Sequence, residues 1–158
     1  MKKGSGILIT LLILAFGVSS CKKATVSVQG SQWTFNGITH TGSSTIFATA
    51  YATYLMEANE VISDSLTNYV MMEFGNLPAN NEKFSVVSTA TPDSGQCVIA
   101  LGYITAAHIP TLVAKGAGSS TDSVLVTIVN GKYHFSFSGI VMNEYETFTG
   151  LSGTLIQQ

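Results

Sequence analysis

The dipeptide Asn130-Gly131 constrains the folding of this chain more than any other feature. Val124-Leu125-Val126-Thr127-Ile128-Val129 precedes it and Lys132-Tyr133-His134-Phe135-Ser136-Phe137 follows it. A two-residue Asn-Gly loop favours the type I′ turn, whose twist matches the strands on either side. Such a loop sets the register. Val129 faces Lys132, Ile128 faces Tyr133, Val126 faces Phe135 and Val124 faces Phe137. Strand side chains alternate, so Val124, Val126, Ile128, Tyr133, Phe135 and Phe137 share one face. Leu125, Thr127, His134 and Ser136 form a more polar opposite face. Turn chemistry and hydrophobic pattern agree independently, and cross-strand pairs of this kind contribute roughly 0.2–1 kcal/mol each. The same logic at Asn36-Gly37 pairs Phe35 with Ile38 and Trp33 with His40.

Further strands are predicted over 69–74, 83–89, 96–105 and 147–156. Val70, Met72 and Phe74 alternate with Met71 and Glu73, and Phe84 and Val86 alternate with Ser85 and Val87. Leu77-Pro78-Ala79-Asn80-Asn81 and Thr91-Pro92-Asp93-Ser94-Gly95 read as turns. Their prolines fall where a missing N–H does no harm. Gly116-Ala117-Gly118-Ser119-Ser120 reads as a flexible loop without the Gly-Lys-Ser/Thr ending of a phosphate-binding loop. From 47 to 62 the apolar positions follow helical spacing, but Thr45, Ile46, Thr49, Tyr51, Thr53 and Tyr54 favour strands. We assign 45–57 as strand; a helix there would move the fold towards α+β. Short strands at regular intervals with turn signals predict a single all-β domain, an antiparallel sandwich or barrel of about eight or nine strands.

The amino terminus bears on location. Lys2 and Lys3 precede an apolar run from Ile7 to Phe16, and small residues lead into Val18-Ser19-Ser20-Cys21. This is the layout of a secretory signal, and the run is far shorter than the roughly 20 residues a helical span needs. Val18-Ser19-Ser20-Cys21 resembles a bacterial lipobox. That resemblance implies cleavage before Cys21 and diacylation of its thiol, and each buried CH₂ of an acyl chain holds the membrane by about 0.8 kcal/mol. Lys22-Lys23 follow the cysteine. They lack the aspartate that marks inner-membrane retention in such lipoproteins and the acidic cluster that marks surface export in Bacteroidetes-type ones. The expectation is an outer-membrane anchor facing the periplasm. Residues 1–20 form the signal, 21–30 the acylated cysteine and tether, and 31–158 the β-domain.

Composition narrows the chemistry. All seven basic residues are lysines, and loss of Lys2 and Lys3 with the signal takes the formal net charge from −2 to −4. Nucleic-acid binders carry basic patches, and arginine dominates bidentate phosphate recognition, so nucleic acid is not an expected partner. With Cys21 acylated, Cys97 has no partner for a disulfide or a cysteine-based zinc site. Its run Cys97-Val98-Ile99-Ala100-Leu101 reads as buried core. His40, His108 and His134 are scattered without ligand spacing, the nine acids are dispersed, and no Gly-x-Ser-x-Gly elbow occurs. No catalytic residue, metal site or cofactor is therefore assigned. Tyr51, Tyr54 and Tyr145 have neighbours of mixed polarity and are the candidate ligand-stacking residues.

The lipobox with Trp33-Thr34-Phe35-Asn36-Gly37, the segment from Val126 to Phe137 and Thr149-Gly150-Leu151-Ser152-Gly153-Thr154-Leu155 together resemble small Bacteroidetes-type lipoproteins. The resemblance implies a short β-domain behind an acyl anchor. It brings no established activity, so no site residue is carried over. The sequence expectation is a non-catalytic envelope module that binds a partner or ligand, such as an envelope protein or glycan, or plays an accessory structural role. The alternatives are a barrel-type carrier of a small apolar ligand and a hydrolase using scattered His and acid residues.

Overall fold

The computed structural model describes residues 30–48, 53–144 and 147–158. They form ten strands and, among the described residues, no helix. In chain order these are β1 (Ser31–Phe35), β2 (Ile38–Ala48), β3 (Tyr54–Ser63), β4 (Leu66–Phe74) and β5 (Glu82–Val86). They continue with β6 (Gln96–Thr105), β7 (Pro110–Gly116), β8 (Ser123–Val129), β9 (Lys132–Glu144) and β10 (Thr147–Ile156). Nine strands close into a barrel in the order β1-β2-β3-β4-β6-β5-β8-β9-β10 and back to β1, and β7 is an extra strand. The ladders are antiparallel except the short contact of Ser85 and Val86 with Gln96 and Cys97. The all-β expectation holds, and the architecture is the barrel form of it. Closure joins the outermost strands of the sheet and leaves no long edge for another chain to pair with.

Both Asn-Gly turns adopt the backbone their chemistry favours. Asn36 and Gly37 have φ of 51° and 75°, and Asn130 and Gly131 have 53° and 76°. The registers follow: Trp33 lies opposite His40, Phe35 opposite Ile38, Val126 opposite Phe135 and Val124 opposite Phe137. Segment 45–57 is not one strand. Residues 45–48 end β2 and 54–57 begin β3, its antiparallel partner. Reading two paired strands as one mixes two phases of alternation, and the combined apolar positions then imitate a helical period. Gly116, assigned by sequence to a flexible loop, is the buried last residue of β7. A Cβ there would stand 2.8 Å from both Ile99 and Val86 side chains.

The inward faces fill the middle of the barrel. Met56, Met72, Phe74, Phe84, Phe135 and Met142 are fully buried. The Phe74 ring meets Phe84 edge-on at 4.9 Å and Phe135 at 5.3 Å between centroids. Such aromatic pairs add about 0.5–1.5 kcal/mol beyond their area burial. The two ends of the barrel differ. Gly30, the Asn130–Gly131 turn and the carboxyl-terminal Gln158 lie at one, the near end, as Gln32 pairs with Thr154 and His134 with Ile156. The Asn36–Gly37, Asp64–Ser65 and 106–109 turns lie at the other, the far end.

The wall between β6 and β9 is built in two halves. β5 and β8 fill the near half and β7 the far half. Between the halves, Val141 of β9 has no strand neighbour on that side. Its N–H donates to Asp122 Oδ2 at 2.8 Å, and its carbonyl accepts from Ala117 N–H at 2.8 Å. Asp122 is buried, its own carbonyl accepting from Val86 N–H. One carboxylate thus patches the gap where the strands fork. Removing one partner of a buried hydrogen bond costs about 1–3 kcal/mol. Asp122→Ala is expected to lower unfolding free energy by about that amount in urea titrations, with amide exchange accelerated first around Val141.

Candidate functional site

Strand alternation builds the site. The inward faces that carry Val70, Met72 and Phe74 on β4 and Met56 and Ala58 on β3 continue, towards the far end, to Asn68 and Glu60. On β6 the face of Ile99 and Leu101 continues to Tyr103. Across the turn of the first hairpin, Trp33 and its partner His40 complete the ring. Glu60 lies opposite Asn68, and Asn68 opposite Tyr103. A polar tier therefore sits directly on the apolar core at the far mouth.

Trp33 is the floor, only 1% exposed, and the His40 ring stacks on it with centroids 5.4 Å apart and planes 19° from parallel. His40 Nδ1 lies 2.7 Å from Glu60 Oε2. Asn68 Nδ2 donates to the same oxygen at 3.2 Å, and Thr41 N–H donates to Glu60 Oε1 at 3.1 Å. Above these lies a cup of about 110 Å³, lined by Trp33, Phe35, His40, Asn68, Tyr103 and Val113 among others. It has room for a few waters or one small organic group. Tyr69 and Gly102 also line the cup; Tyr69 is buried and stands opposite Gly102, where a Cβ would come within 2.5 Å of its hydroxyl. Burial, helped by the charge of Glu57, pushes the Tyr69 hydroxyl above its ordinary value.

Partial burial on its own would raise the Glu60 carboxyl. The hydrogen bonds from His40, Thr41 N–H and Asn68, with the charge of His40, outweigh it and hold the group below its ordinary value of 4.5. A carboxyl whose folded-state pKa is depressed binds fewer protons in the folded than in the unfolded state. It therefore adds stability that is complete above the unfolded value and is lost as pH falls through the folded one. Glu60→Gln is expected to be less stable than the parent at pH about 7, with the gap narrowing once pH drops below about 4.5. Urea midpoints across that range check this.

Glu60, His40 and Asn68 form a candidate site that sequence reasoning does not assemble. The pairing of His40 with Trp33 was expected, but as a hairpin contact; Glu60 was one of the dispersed acids. The available signal was register: extending the two hairpins brings positions 40, 60 and 68 to one level. Of the candidate ligand-stacking residues, Tyr54 begins β3 at the near end and packs half-buried against the core. Tyr51 and Tyr145 lie outside the described residues, as does Cys21. His108 sits in the exposed β6–β7 turn with φ of 56°, and His134 lies on β9 near the opposite end. Among the described residues no three His, Cys, Asp or Glu side chains converge as a metal site would need. Cys97 is a buried free thiol, and burial pushes it up to about 12. Since the thiolate is the reactive form, iodoacetamide at pH about 8 is expected to leave Cys97 unmodified in the folded protein and to alkylate it fully in denaturant, read by intact mass.

Comparison with protein-family models, curated proteins and solved structures found no match for this chain. The functional reading rests on its own geometry.

Proposed function

We propose that the chain is a lipid-anchored, non-catalytic binding module of the bacterial cell envelope that holds a small ligand, or a small group on a partner, in the far-mouth cup. The observation that carries this reading is the cup itself. Its apolar floor and walls meet the polar side chains of His40 and Asn68, which Glu60 holds from behind by hydrogen bonds. Ligand sites are typically concave and mostly apolar, with a few placed polar groups. The packed middle of the barrel favours a ligand seated at the mouth over one enclosed along the axis, as a deep carrier of the eight-stranded type would hold it.

Placement supports the anchored half of the reading. The described chain begins at Gly30 at the near end, a short tether away from Cys21, and the cup opens at the far end. An acyl anchor on Cys21 would hold the near end towards the membrane and turn the cup away from it. The Val18-Ser19-Ser20-Cys21 signature and the likeness to small Bacteroidetes-type lipoproteins point the same way, with the outer membrane facing the periplasm as the proposed location.

Two measurements test the reading. In cells fed radiolabelled palmitate, the full chain is expected to take up label and Cys21→Ser is expected to take up none. Native mass spectrometry of freshly purified protein is expected to reveal a retained small molecule that is absent from Val113→Phe, a variant with a filled cup. Unlabelled parent chain would reject the anchor, and identical spectra for the two proteins would reject the site.

A further inference from the structure

The chemistry of the cup selects among ligands; the argument rests on the cup being a binding site, as proposed above. A carboxylate only accepts hydrogen bonds, so the polarity of the tier is fixed around Glu60. His40 presents Nδ1–H to Glu60 Oε2, and in the neutral form of the ring Nε2 is then left as an acceptor. Asn68 must present its amide nitrogen to Glu60, which leaves Oδ1 as an acceptor. Both Glu60 oxygens already receive donors, from His40 and Asn68 on one side and Thr41 N–H on the other. With the His40 ring neutral, the polar tier contributes a negative charge and unfilled acceptors, and these two side chains offer a ligand no donor.

The surroundings share that sign. The described lysines are elsewhere: Lys132 flanks the near-end turn, Lys83 lies on β5, and Lys115 Nζ donates to the Ser88 and Thr89 carbonyls. At the far end the β3–β4 turn adds Asp64. The aromatic rings of Phe35 and Tyr103 line the cup and can face a cation, which ring quadrupoles attract. Beyond the polar tier several large apolar side chains are exposed at the far end. Ile38, on the same strand face as His40, is 61% exposed, and Val61, Ile62 and Ile109 are 72%, 53% and 64% exposed at neighbouring turns and strand ends. Such a concentration of exposed apolar side chains around a cavity is typical of a ligand or partner site.

We propose that the cup binds a small amphipathic amine as its ammonium ion, with the cation at His40 Nε2 and Asn68 Oδ1, the Glu60 charge behind these two side chains, and the hydrocarbon body directed outwards past Ile38. No covalent step is involved. A carboxylate of the same size would meet the Glu60 charge and two acceptors, and an alcohol would gain the hydrogen bonds without the charge.

Trp33 is the single tryptophan of the chain and forms the floor of the cup, so its fluorescence reports occupancy. The test titrates the full chain in mild detergent, at pH about 7, with n-butylamine, n-butanol and n-butyrate, and repeats the series on Glu60→Gln. Butylamine is expected to shift Trp33 emission saturably with an apparent Kd about tenfold below that of butanol and further below that of butyrate. Glu60→Gln is expected to bring the amine and alcohol values within about threefold of each other while leaving butanol binding in place. That pattern separates loss of charge from loss of the cup. Butyrate binding as tightly as butylamine, or an amine preference that survives in Glu60→Gln, overturns the proposal and leaves the cup as a site for another class. No saturable response to any of the three overturns the cup as a small-molecule site as well.

Discussion

Strand β1 is paired along both flanks, with β2 from Ser31 to Phe35 and with β10 from Gln32 to Phe35. This seam joins the two extremes of the described chain and turns a curved sheet into a barrel. Two local devices hold it. Gly153 lies opposite Trp33, where any Cβ would stand 2.8 Å from the Trp33 Cα, so only glycine lets β10 approach that closely. The buried Ser31 hydroxyl contacts the Ser44 hydroxyl and accepts from Ile156 N–H, tying β2 and β10 together where β1 begins. Partners 125 residues apart must meet before this seam exists. Pairing of that kind forms late and slowly compared with hairpins, because the entropy of closing the loop precedes the reward.

The contrast between hairpin and seam explains what could be read from residues alone. Turn chemistry at Asn36-Gly37 and Asn130-Gly131 acts between neighbours, so register, facing and core membership of Val124, Val126, Phe135 and Phe137 were legible. The alternation of Val70, Met72 and Phe74 was equally local. What escaped was long-range. Nothing near Asp122 in sequence announces that it patches Val141 at a fork in the wall, because the fork exists only once β5, β8 and β7 share the space between β6 and β9. Glu60 reads in the sequence as one of nine dispersed acids. It became part of a site through His40, twenty residues earlier, and Asn68 across a turn. The bulge between Val61 and Ser63 further disguised the strand that carries it.

The barrel keeps stability and chemistry in separate tiers. Phe74, Phe84 and Phe135 pack the waist with ring contacts and no polar atoms. Hydrogen-bonded polar groups occupy the mouth, where Glu60 and His40 are each 18% exposed and part of the cost of desolvation is avoided. Small changes at the mouth can therefore reshape the cup without disturbing the waist. A filled waist also gives the Trp33 floor little freedom to move, so the His40 ring is held by stacking below and a carboxylate at its side before any ligand arrives. Pre-placed groups of this kind reduce the ordering that binding must impose.

The opposed positions of Gly30 and the cup have a mechanical consequence. If the amino-terminal side is fixed and something attached at the cup is pulled, tension passes lengthwise through β1, parallel to its two neighbours and across their hydrogen bonds. The rungs to β2 and β10 are then sheared together instead of being peeled one after another. A strand loaded in that direction yields only when many rungs fail at once, so the body is built to transmit traction along its axis.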